Sequence, residues 1–122
     1  MAKASSANAD RIADYGVAID RSSTLDGYTV NFVTITQTHD LGPILAKLPG
    51  GSCSCPHWGV VLKGRVIVRY PDHEETLEAG DAFYMPPGHA PEAEEGTELI
   101  QFSPTEQLAE VEAAIAAAMQ SS

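Results

Sequence analysis

The chain has 122 residues, with 7 Lys and Arg against 17 Asp and Glu, a formal net charge of −10. That is one domain of ordinary size, long enough to bury about two thirds of its unfolded surface without disulfides. The few basic residues form no run, which excludes a phosphate-tracking surface, so neither nucleic acid nor an anionic membrane is expected as a partner.

No apolar stretch reaches the length of a spanning helix, and the N-terminus carries no apolar signal core. A cytoplasmic protein with Cys53 and Cys55 reduced is the expectation. A ring closed between these two cysteines would be tight and strained.

In chain order, residues 1–14 read as a flexible arm or a short helix around Ile12, with Asn8 as its cap. Gly16 and residues 20–26, rich in Ser, Thr and Asp, read as loop. Residues 28–37 are β-branched and aromatic and predict a strand, with Tyr28, Val30 and Phe32 on one face and Val33 and Ile35 on the other. Residues 38–43 read as a turn, and 44–48 as a second short strand stopped by Pro49-Gly50-Gly51.

Residues 52–62 predict a third strand, turned back at Lys63-Gly64 into a fourth over 65–70. There Val66, Val68 and Tyr70 alternate with polar or outward positions. Short strands follow over 74–77 and 82–85, the second ended by Pro86-Pro87-Gly88. After a loop through Gly96, residues 97–102 predict the last strand. Ser103, Pro104 and Glu106 read as cap, first helical residue and capping box of a helix over 105–120. Leu108, Val111, Ile115 and Met119 share a face of it, expected to pack on the outside of the barrel or on a second subunit. Many short strands and one terminal helix predict an all-β sandwich or barrel.

Residues 50–91 resemble the cupin superfamily. Its second motif runs G-x5-P-x-G, matched by Gly80, Pro86 and Gly88, with Asp81 after the glycine. Its first motif ends in a glycine, matched by Gly64 after Val61-Leu62-Lys63. Residues 65–79 form the short spacer of a single-domain member. The resemblance implies a double-stranded β-helix, the jelly-roll barrel, over residues 15–104, followed by the C-terminal α-helix. It does not carry the family's three-His, one-Glu metal set. Counted back from Gly64, the Glu position holds His57, the two His positions hold Cys53 and Gly51, and the last His position holds Pro91, two residues past His89.

Residues at i, i+2 and i+4 of a strand point to one face, which puts Cys53, Cys55 and His57 together. His57 takes an inward position in the resemblance, and His89 follows the neighbouring strand. Two thiols and two imidazoles make a soft donor set, suited to one divalent transition metal ion, zinc favoured, with iron or copper as alternatives. The candidate ligands rank His57 first, then His89 and Cys53, then Cys55, which Pro56 can turn away. The competing reading is a metal-free pocket with the cysteines as small apolar fillers.

Other positions weigh less. His73 and His39 read as surface or loop residues, and Tyr84 as core or rim, with an inward acid as the sharper alternative. Gly59 either leaves room beside the site or accommodates a neighbour. Trp58, Val60 and Leu62 form an apolar outer face, which with the resemblance implies a homodimer unless the N-terminal segment or the last helix covers it. The functional expectation is a metal-binding cupin that binds a small molecule and, as an enzyme, would be an oxygenase, isomerase or lyase. The alternatives are a metal-free small-molecule-binding cupin and a thiol or metal sensor.

Overall fold

The computed structural model describes residues 3–120, so residues 1 and 2 of the predicted arm lie outside the described residues. Strands dominate: β1 (Arg11–Asp14), β2 (Ala18–Leu25), β3 (Tyr28–Ile35), β4 (His39–Asp40), β5 (His57–Lys63), β6 (Arg65–Arg69), β7 (Glu74–Glu78), β8 (Ala82–Met85), β9 (Ala90–Ala93) and β10 (Glu98–Pro104). Two α-helices interrupt and end the series, α1 (Gly42–Leu45) and α2 (Thr105–Gln120). The strands form two antiparallel sheets, ordered β1-β2-β3-β10-β5-β8 and β4-β9-β6-β7. This is the jelly-roll architecture that the turn spacing and the motif predict.

Directly paired residues of antiparallel strands share a face. Val61 opposite Leu99, and Leu99 opposite Val33, therefore line the inner face of the larger sheet. They meet Val66, Val68 and Leu77 of the smaller sheet, and with Phe83 and Met85 these residues form the core between the layers. A second apolar cluster closes one end. Leu45 and Leu48 from α1 and its exit, and Leu108, Val111 and Ala118 from α2, enclose Cys53 and Cys55. The helix thus packs over the mouth of the barrel. Its start is held by the Thr105 N–H donating to the Gly27 carbonyl (3.0 Å) and by a Thr29–Thr105 hydroxyl contact of 2.9 Å.

Several elements differ from the sequence expectation, each for a tertiary reason. Residues 11–14 are not arm or helix but an edge strand, paired with Ile19–Ser22 of β2. β2 itself replaces a predicted loop, because its Ser, Thr and Asp residues pair along their whole length with β3. The strand predicted over 44–48 is the short helix α1. Pro43 suits its first turn, and Asp40 Oδ1 accepts the Gly42 N–H at 2.8 Å. β9 occupies part of the predicted loop before Gly96, where Glu92 meets Arg69 at 2.8 Å.

Two corrections bear on the site. β5 begins only at His57, so Cys53 and Cys55 precede the strand in irregular chain. β10 runs on through Pro104, so Ser103 is a buried strand residue and not a helix cap. Gly59 is a packing accommodation: a Cβ there would stand 2.1 Å from the Ile100 carbonyl oxygen and 2.7 Å from the Phe83 ring.

Candidate metal centre

Three separate segments deliver the candidate ligands. Cys53 lies in the loop after α1, and an isolated antiparallel bridge ties it to His89. The Cys53 N–H donates to the His89 carbonyl at 3.1 Å, and the Gly88 N–H donates to the Cys53 carbonyl at 2.8 Å. Gly88 has φ +102°, a left-handed conformation that L side chains rarely adopt, so the turn after Pro86-Pro87 requires glycine there. His57 opens β5 and pairs with Met85 of β8.

The outcome is one compact group. Ligand atoms of Cys53, His57 and His89 all lie within 4.8 Å of one another, and all three residues are buried. Cys53 Sγ stands 3.7 Å from His57 Nε2. The two imidazoles meet with ring centroids 4.9 Å apart, tilted by 59°.

The other ring nitrogens are committed. His89 Nδ1–H donates to the Pro86 carbonyl at 2.6 Å, and a carbonyl can only accept, so this fixes the tautomer with Nε2 as the free lone pair. His57 Nδ1 contacts Ser103 Oγ at 2.6 Å. With Nε2 used as a ligand, Nδ1 carries the proton and donates it to the Ser103 oxygen. Nδ1 partners of this kind are the usual outer contacts of metal-bound histidines.

Electrostatics point the same way. Burial, then the neighbouring His89, push His57 down to about 3, so it is neutral at ordinary pH with a lone pair to give. His89 is also lowered by burial. Burial raises the Cys53 thiol, so it stays protonated at neutral pH until a bound cation displaces the proton to solvent.

The residues present fit a metal ion. Bond lengths of about 2.0 Å to nitrogen and 2.3 Å to sulfur place two ligands of a tetrahedral or trigonal ion about 3.5 Å apart. The 3.7 Å between Cys53 Sγ and His57 Nε2, a hydrogen-bond contact, is compatible with such an edge.

Cys55 stands outside this group. Its Sγ lies 3.5 Å from the Pro56 carbonyl, and the side chain is fully buried in the cluster beneath α2. Burial and then Cys53 push its thiol up to about 11, opposed by a hydrogen bond with Ser103. The i, i+2, i+4 argument fails here because these residues are not on one extended strand.

Tyr84 faces outward, 49% exposed and stacked on Trp58 with ring centroids 5.1 Å apart, so it is no inward acid. His73 is a surface residue beside Asp72 and Glu75, and His39 sits in β4 opposite Ala93. Ser103 is the site residue that sequence reasoning missed. Its neighbours Pro104 and Glu106 spell a helix start, and only the three-dimensional pairing of β10 with β5 reveals its other role.

No family model matches the chain, and no curated protein is similar to it in sequence. Solved structures are similar in fold. A protein of unknown function from Rhizobium leguminosarum aligns over 84% of this chain and 95% of its own, with 22% identity and a TM-score of 0.62. An RmlC-like cupin from Shewanella frigidimarina aligns over 77% and 83%, with 18% identity and a TM-score of 0.53. A cupin-2 domain protein from the same organism aligns over 70% and 78%, with 20% identity and a TM-score of 0.50. With its two antiparallel sheets, its Gly80–Gly88 turn scaffold and these neighbours, the chain has the fold of a small cupin.

Proposed function

We propose that this chain is a metal-binding cupin that holds one transition metal ion through Cys53, His57 and His89. The observation that carries the reading is the commitment of the imidazoles: each Nδ1 is hydrogen-bonded, so each Nε2 is left for a ligand beside the Cys53 sulfur. Cys55 is left out of the ligand set because its thiol faces Pro56 and Ser103. A three-ligand ion keeps an open coordination position, at which a small molecule can bind and be polarised. Small-molecule binding is the use that the resemblance to cupins implies for such a position.

The test is elemental analysis of the protein after loading with zinc, iron and copper in turn, beside Cys53→Ala and His57→Ala. The reading expects one ion per chain in the wild type and loss of it in both variants. A wild type that stays metal-free with every ion overturns it and leaves a metal-free pocket.

A homodimer is part of the same proposal. Trp58 is 41% exposed and Leu62 50%, and Tyr28 and Tyr84 flank Trp58 on the outer face of the larger sheet. Neither the N-terminal strand nor α2 covers these rings.

A further inference from the structure

We infer that the metal this site takes is copper, with Met85 as a weak fourth donor beside Cys53, His57 and His89. The inference rests on the metal-binding reading above and goes on to name the ion and a further ligand. Three observations on this chain lead to it.

The first is charge. The site offers one thiol and two imidazoles, and among the described residues no carboxylate joins the group. As Cu⁺ binds, the Cys53 Sγ–H proton leaves to solvent and the thiolate balances the ion, so the centre is uncharged. A divalent ion on the same donors leaves one net positive charge in a buried site, so the resting ion is Cu⁺ and its oxidised Cu²⁺ form is the less favoured of the two. Leu45, Leu48, Leu108 and Val111 share the apolar cluster that encloses Cys53. An unbalanced charge is costly in such surroundings.

The second is the donor set. One cysteine and two histidines in trigonal array, with a distant thioether, is a set suited to copper, and soft sulfur ligands select copper in general. Structural zinc closes its tetrahedron with a fourth nitrogen or thiolate ligand. Cys55, which would complete it, faces the Pro56 carbonyl instead.

The third is the position of Met85. It lies directly opposite His57 across the β5–β8 pair, on the same inner face, 4% exposed at the edge of the core between the sheets. Directly opposed residues hold their Cβ atoms about 4.5–5.5 Å apart, within the reach of a methionine side chain. The next residue, Pro86, supplies the carbonyl that orients His89. One short segment thus contributes the thioether, the orienting carbonyl and, through the following turn, the second histidine.

The experiment loads the reduced full-length chain anaerobically with Cu⁺, measured by competition with a chromophoric Cu⁺ chelator. One equivalent of ferricyanide then takes one electron from the bound Cu⁺, giving Cu²⁺ and ferrocyanide. The expected product shows an intense visible sulfur-to-copper charge-transfer band at one copper per chain. Cys53→Ser loses the band. Met85→Leu, a volume-conserving change, keeps the stoichiometry and shifts the band. Stoichiometric zinc that depends on Cys53 and His57, with no charge-transfer band from copper, overturns the inference while leaving the metal-binding reading intact. No bound ion of either kind overturns both. A band that Met85→Leu leaves unmoved removes Met85 from the donor set and overturns the four-donor assignment.

Discussion

Replacing Ser103 by alanine tests the link between the barrel strand and the metal ligand. Ser103 is fully buried and His57 is 6% exposed, so no bulk water reaches the vacated position. The substitution leaves the His57 Nδ1–H, now bonded at 2.6 Å, without its acceptor. A buried donor left unsatisfied costs about 1–3 kcal/mol, which is the expected loss of metal-free stability. Metal affinity falls for a separate reason, because the imidazole loses both its orientation and the acceptor that raises its basicity. Removing an outer contact of this kind lowers affinity about 10–100-fold, equal to about 1.4–2.8 kcal/mol. Two assays separate the effects: urea denaturation of chelator-treated protein, and competition for the ion against a chromophoric chelator. A variant that loses stability but binds its ion within about threefold of the wild type, well short of the outer-contact effect, would show that Nδ1 is a packing contact only. It would refute the coupling of Ser103 to the metal ligand.

Three further outcomes follow from other parts of the molecule. Gly59→Ala forces a Cβ onto the backbone oxygen of Ile100, so urea melts should show a loss at or beyond the usual 1–3 kcal/mol of overpacking; a near-neutral result would contradict the packing role given to this glycine. Asp20 on β2 and Glu112 on α2, both near Arg11, are both raised, mainly by burial. A carboxyl with a raised folded pKa favours folding below its unfolded value, about 4 for these groups, and that contribution is lost as pH rises through the folded value. Stability of metal-free Asp20→Asn/Glu112→Gln should therefore fall less than the wild type's as pH rises from about 4 to 7; an equal or steeper fall would be evidence against the burial argument. For the exposed ring row, Trp58→Glu should convert a sedimenting dimer to monomer, and a monomeric wild type at micromolar concentration would end the dimer proposal.

The barrel was legible because its information is local. Alternation in residues 28–35 and 65–69, and the glycines and Pro86 of the turn scaffold, specify strands and corners within a few residues of themselves. What failed was decided by partners distant in sequence. β2 has the Ser, Thr and Asp content of a loop and becomes a strand only because β3 pairs with it end to end. Cys53 reaches His57 through the bridge to His89, not through strand periodicity, so Cys55 was grouped with the ligands on a geometry it does not have. Ser103 carries a good local signal for a cap, and β10 overrides it by running on to Pro104 and turning the hydroxyl toward His57. The three grouped side chains were all nameable from sequence; the contacts that fix their tautomers were not.

The account's central claim is that Cys53, His57 and His89 form one metal centre. The most direct measurement is the metal content per chain of the wild type after loading and gel filtration, set beside His89→Ala. His89 holds the backbone bridge to Cys53 through its main chain, which the substitution keeps. The account predicts one ion per wild-type chain and none, or a weakly held one, in the variant. A wild type without metal, or a variant that keeps a full equivalent as firmly as the wild type, would contradict it.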